Sequence, residues 1–106
     1  MRLYLSGPIS SDLMFKEKFS KAQSALSIKG YRVVNPANLY MVMDKQSTWE
    51  DYLAIDAELL EMCDVLVQLP GWESSLGCQR EYGIAFARCM YIVKLEDLID
   101  GCIEKS

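Results

Sequence analysis

The chain contains no histidine among its 106 residues, and this limits its chemistry at once. Neither a Ser-His-Asp nor a Cys-His arrangement can be assembled. Any general acid or base must be Asp, Glu, Tyr, Lys or Cys, or must belong to the substrate. Two carboxylates stand out. Glu81 lies in the stretch PGWESSLGCQREYGIA (70–85), among small and apolar residues just beyond a flexible turn. Cys78, Glu81, Tyr82, Ala85 and Cys89 fall at i, i+3, i+4, i+7 and i+11, which puts Glu81 on or beside the buried side of a helix. Asp56 shares its side with Leu53 and Leu60 at i−3 and i+4, whereas Asp51, Glu58 and Glu61 read as solvated charges. The competing reading of Glu81 is an exposed helix residue paired with a cation. A half-buried carboxylate near a pocket is a catalytic candidate, because its surroundings tune its protonation.

These residues need elements to hold them. RLYLS (2–6) is rich in β-formers, and Gly7-Pro8 ends it. A helix capped by Ser10 or Ser11 is expected to run to about Lys29, with Leu13, Phe15, Phe19, Ala22, Ala25 and Leu26 on its apolar side. YRVVN (31–35) is a second strand, followed by an irregular stretch at 36–46. Ser47-Thr48-Trp49-Glu50 fits a capping box. It opens a helix to about Met62, with Tyr52, Ile55, Leu59 and Met62 on one face. DVLVQLP (64–70) is the clearest buried strand. A helix over 75–88, a strand over 90–95 and a last helix over 96–104 complete the chain.

Strands alternating with helices specify an α/β fold with a parallel sheet covered on both faces. The expected architecture is one flavodoxin-like domain over 1–106, its four strands in the order 2-1-3-4. Ligands bind such sheets outside the carboxyl ends of the strands, where the winding reverses. That place lies between the first and third strands. The turns it selects are SGPISS (6–11) and PGWESSLG (70–77), and the second leads straight to Glu81.

Neither turn is a Walker A loop or a dinucleotide fingerprint, so no cofactor is expected. Both offer hydroxyls and backbone N–H groups that suit a phosphate or a sugar hydroxyl, although each serine also reads as an ordinary helix cap. The four cysteines form no C-x-x-C pair, so common zinc spacings are absent and no metal is expected. A net charge of −4 without a basic run argues against a nucleic-acid polymer as partner. No segment is apolar enough for a signal peptide or a membrane span. A cytoplasmic protein with reduced cysteines is the expectation.

LYLSGPIS at the start, an aspartate near the middle of the second long helix, CDVLVQLP, and then Ser75-x-Gly77-x-x-x-Glu81-x-Gly83-x-Ala85 resemble the nucleoside 2-deoxyribosyltransferase superfamily. The similar members include the 2'-deoxynucleoside 5'-phosphate N-hydrolases and short, often phage-borne, relatives. The resemblance covers residues 2 to 94. It implies that Glu81 is the nucleophilic glutamate, that Tyr4 steadies it, and that Asp56 faces the sugar and base. Ser75 stands where the transferases carry an aspartate and the nucleotide hydrolases a serine, which favours the hydrolase branch. Pro8 and Ser10 depart from the family, occupying the places of a serine and an arginine that hold the 5'-phosphate.

The expected reaction is cleavage of the N-glycosidic bond of a (deoxy)nucleoside 5'-monophosphate through a glycosyl-Glu81 ester, with hydrolysis or base exchange to follow. Ser6, Gly7, Ile9, Ser10, Ser74, Ser75, Gly77 and Trp72 are the expected substrate contacts. Asn38, Tyr40, Met41 and Met43, with Trp72, read equally well as residues that stack on or close over a base and as residues that pack under their own loop. The alternatives are a non-catalytic nucleotide-binding or sensing module and, last, an interaction domain, which leaves Glu81 unexplained. The resemblance also implies a homo-oligomer, with Trp49, Tyr52, Tyr82, Phe86 and Met90 as candidate surface.

Overall fold

The computed structural model describes residues 1–100. Four strands form one parallel sheet: β1 (Arg2–Ser6), β2 (Arg32–Val34), β3 (Val65–Gln68) and β4 (Tyr91–Lys94), in the order β2-β1-β3-β4. Helices α1 (Phe15–Ile28), α2 (Trp49–Glu61), α3 (Leu76–Ala87) and α4 (Leu95–Asp100) complete the α/β pattern. The strand order is the one the alternating pattern predicts. The end of the last expected helix, 101–104, lies outside the described residues.

Alternation along the strands divides the core. Leu3, Leu5, Val65 and Val67 pack with Phe19, Ala22 and Leu26 of α1 and with Leu98 of α4. Tyr4 and Leu66 face the other way, onto Leu60 of α2 and Ala85 of α3. Ser6, two residues after Tyr4, shares that second face. Tyr4 pairs with Leu66 and Ser6 with Gln68 across β1 and β3, so a tyrosine and a serine stand in line beneath α3.

Three boundaries differ from expectation, each for a local reason. α1 begins at Phe15 because Asp12, not a serine, takes the first turn: its Oδ1 accepts from Met14 N at 2.9 Å and its Oδ2 from Lys18 Nζ at 2.6 Å. Ser10 and Ser11 are thereby left outside the helix, and Leu13 is 99% exposed rather than part of the apolar side. α2 is capped by Thr48 and Asp51, each side chain accepting from the other's N–H. Ser47 instead donates to Asp44 Oδ1 at 3.2 Å. With α2 set that way, Leu60 is buried, Tyr52, Leu53, Ile55, Asp56 and Leu59 are half-buried, and Met62, expected on the apolar face, is exposed. The expected irregular segment contains a 3-10 turn, Pro36–Met41, which Asn35 caps by accepting from Ala37 N at 3.0 Å.

Gly7 shows why the chain turns where it does. A Cβ there would lie 2.9 Å from Leu69 Cβ and 3.2 Å from Phe19 Cζ. Only glycine lets the backbone leave β1 this closely over β3's exit and α1.

Candidate active site

A hollow of about 280 Å³ opens at the carboxyl ends of β1 and β3. Gly7, Ile9, Ser10 and Ser11 come to it from the first turn, and Ser74, Ser75 and Gly77 from the second. α2 contributes Asp56, and α3 contributes Glu81. Six of the eight expected substrate contacts and two of the three expected catalytic residues therefore share one cavity.

Glu81 is 7% exposed. The Tyr4 hydroxyl donates to its Oε2, and Ser6 Oγ donates to its Oε1 at 2.7 Å. Both carboxylate oxygens are thus held from below by the sheet. Burial is the main cause that raises Glu81 to about 7; the Asp56 charge adds to it, while the Tyr4 and Ser6 hydrogen bonds pull it back. Tyr4, fully buried, is held well above the usual phenol range by burial and by the charges of Glu81 and Asp56. It is therefore a permanent donor. Ser6 is 1% exposed and is spent on Glu81, so it supports the carboxylate instead of reaching the hollow.

Asp56 is half-buried, and its Oδ1 is inaccessible to solvent with no hydrogen-bond partner. Burial raises its carboxyl to about 6, partly offset by Tyr4. A buried acceptor without a partner is costly and marks a place where a ligand or water completes the site. Ser75 is the N-cap of α3, accepting from Cys78 N at 3.3 Å, so the capping reading of this serine is correct and coexists with its place in the hollow. Ser74 donates to Gly71 O at 3.0 Å, leaving its oxygen to accept.

Trp72 is a correction. It opens a 3-10 turn, Trp72–Ser74, that carries its ring to the outer side of α3, where it stacks on Tyr82 with centroids 5.5 Å apart. It lines a different hollow with Gln68 and Lys94. The aromatic wall of the first hollow is made instead by Tyr40, Trp49 and Tyr52. Tyr40 and Tyr52 stack at 4.3 Å and 12°, and Phe15 meets Tyr40 edge-on at 5.3 Å. Leu53 and Cys78 also line the hollow without having been expected there. Leu53 was legible as a neighbour of Asp56 on one helix side. Burial raises the Cys78 thiol, which keeps it neutral beside Glu81.

Two solved structures share the fold that carries this hollow. The chain superposes on a 2-deoxyribosyltransferase of the psychrotolerant bacterium Bacillus psychrosaccharolyticus with a TM-score of 0.71 and 18% identity, over 89% of this chain and 71% of the other. BcmB, a CMP N-glycosidase of Clostridium botulinum, matches with a TM-score of 0.62 and 21% identity, over 89% of this chain and 67% of that one. Both are likenesses of fold: this chain shares its parallel α/β architecture with each of the two. By sequence, residues 1–94 match the family described as Domain of unknown function (DUF4406), and the chain belongs to that family. No curated protein matches it in sequence.

Proposed function

We propose that this protein cleaves the N-glycosidic bond of a (deoxy)nucleoside 5'-monophosphate, with Glu81 as nucleophile. The observation that carries the reading is Glu81 itself, a buried carboxylate fixed by two hydroxyl donors at the floor of a cavity and sharing it with a second carboxylate. The structural neighbours, a deoxyribosyltransferase and a CMP N-glycosidase, support glycosyl chemistry at such a site.

In the first step a Glu81 oxygen attacks the anomeric carbon while the bond from that carbon to the base nitrogen breaks. The bonding pair leaves with the base, which takes a proton from Asp56 or from water. The transition state is oxocarbenium-like, as in retaining glycosidases. In the second step water attacks the same carbon and gives up a proton to the Asp56 carboxylate or to solvent, the ester bond breaks, and Glu81 is regenerated as a carboxylate. A second base in place of water gives exchange. Tyr4 and Ser6 orient Glu81 and stabilise its charged form. Tyr40 and Tyr52 offer a stacking face for the base, and Ser10, Ser75 and the backbone at Gly77 meet the 5' end.

One observation favours a second reading. With Glu81 raised to about 7, much of the empty protein carries a neutral carboxyl at neutral pH, and a neutral carboxyl binds but does not attack. That is the state expected of a nucleotide-binding module. The test is incubation with ribo- and deoxynucleosides and their 5'-monophosphates, with chromatography for free base. Base release from monophosphates in preference to nucleosides supports the enzyme. Binding without release from any of them supports the module.

We further propose a homodimer. Tyr82, Phe86 and Tyr91 are exposed and support such a surface, whereas Trp49, also part exposed, lines the hollow. Tyr52 and Met90 are better explained within the chain, lining the hollow and packing on the core respectively.

A further inference from the structure

The hollow that contains Glu81 and Asp56 has no lysine or arginine among its lining residues. A substrate with an anionic 5' end would meet two carboxylates there and no opposing charge. A second hollow, a groove of about 290 Å³ between α2 and α3, shares Leu53, Asp56 and Glu81 with the first. Its one cation is Arg80. The Arg80 guanidinium lies 5.0 Å from the ring centroid of Trp49, and Trp49 lines the first hollow. Arg80 therefore stands at the rim common to both.

Three features leave this guanidinium ready for a ligand. It is exposed and makes no ion pair or hydrogen bond among the described residues, so its five donors are open. It is not among the groups that shift the carboxylates, which are moved by burial, by the Asp56 charge on Glu81 and by the Tyr4 and Ser6 hydroxyls. The way inward is also clear. Side chains on a helix lean toward its N-terminus, so Arg80 leans back along the side of α3 that carries Gly77. A Cβ at Gly77 would meet only Ser75 Oγ, at 3.8 Å.

We propose that Arg80 recognises the anionic 5' group of the substrate, moving from the face of Trp49 across Gly77 to a phosphate resting at Ser75. This rests on the glycosidase reading for the identity of the substrate, but its binding arm does not depend on turnover. The parked position on Trp49 is a weak contact at an exposed site, easily exchanged for a charge-assisted, two-pronged contact with phosphate oxygens.

The experiment has two arms. AMP, dAMP, CMP and dCMP, and the four matching nucleosides, are titrated calorimetrically into Glu81→Gln protein, with Arg80 intact or changed to Ala or Lys. The same pairs are offered for base release to protein with native Glu81 and each residue at position 80. The ratio of monophosphate to nucleoside affinity, and of kcat/KM, should fall at least tenfold in R80A and less in R80K. Raising salt from about 50 to about 300 mM should weaken monophosphate binding more when Arg80 is present than in R80A. An equal loss for both ligand types would reduce Arg80 to a brace for Trp49 and overturn the proposal. So would an unchanged ratio, or the absence of monophosphate binding. If base is never released but the binding ratio still depends on Arg80, the glycosidase reading fails while this one stands.

Discussion

The Tyr4 hydroxyl gives its single proton to Oε2 of Glu81, and Asp56 Oδ1, on the same side of the sheet, is left buried with no donor. Glu81 takes the tyrosine's hydrogen bond, while at Asp56 the same hydroxyl only partly offsets the cost of burial. The two carboxylates therefore differ: Glu81 is fixed at both oxygens by β1, whereas Asp56 keeps one buried oxygen open to a ligand or water.

Tyr4→Phe removes a hydrogen bond that lowers Glu81, so the pH at which activity appears should move upward. A hydrogen bond to a charged group contributes about 1.5–3 kcal/mol, so the rate at pH 7 should fall roughly ten- to a hundredfold. A pH–rate profile of the variant beside wild type checks both. An unshifted acid limb would mean that Tyr4 does not tune Glu81.

The pair also predicts the shape of the wild-type profile. Glu81 must be charged and Asp56, if it is the proton donor, neutral. With carboxyls at about 7 and about 6 respectively, the donor loses its proton before the nucleophile does. If the two titrated independently, only about one molecule in seventeen would hold the working combination at pH 6.5. The profile should be a bell centred between those values, and Asp56→Asn should remove its alkaline limb. A wild-type rate that climbs through pH 7 to a plateau would make Asp56 a sugar contact only.

Stability should depend on pH with a definite sign. Glu81 binds its proton more tightly folded, at about 7, than at its ordinary 4.5. Between those values the folded protein holds more protons than the unfolded, so stability falls as pH rises through the window, by about 3 kcal/mol. Asp56, also raised, acts in the same direction. Glu81→Gln should melt several degrees above wild type at pH 8, and the gap should close toward pH 4.5. A gap of the same size at both pH values would contradict the assigned shift.

Tyr40→Ala should raise KM roughly tenfold, the scale of base–aromatic stacking, and should weaken ligand binding more than it lowers the melting temperature, which falls through loss of the Tyr52 and Phe15 ring contacts. Trp72→Ala should leave KM alone, because Trp72 lies outside the hollow and stacks on Tyr82. A large KM change in the Trp72 variant would reverse this assignment of the aromatic wall.

Light scattering should give twice the 12.1 kDa of one chain. Phe86→Glu, at a side chain 69% exposed, should shift that mass toward the monomer. A wild-type monomer at micromolar concentration would remove the dimer from the account.

The order of strands and helices was legible because apolar runs and their breakers act locally. Glu81 was legible because its spacing from Cys78 and Ala85 puts it on the inward side of α3 whatever the rest of the chain does. The choice between Ser47 and Thr48 as cap was not, since both residues suit it and only the Asp44 turn decides. Nor was the destination of Trp72, which depends on a three-residue 3-10 turn. The stacking of Tyr40 on Tyr52 joins residues from a loop and a helix, and no local spacing encodes it.

The central claim is that Glu81 forms the covalent bond. The direct measurement is the rate of base release from the preferred monophosphate by wild type and by Glu81→Gln, with binding of the same nucleotide measured in both. Gln can still accept from Tyr4 or Ser6 but cannot form the ester, so binding should persist while the rate falls on the order of a thousandfold or more. Equal base release by the two proteins would contradict the claim.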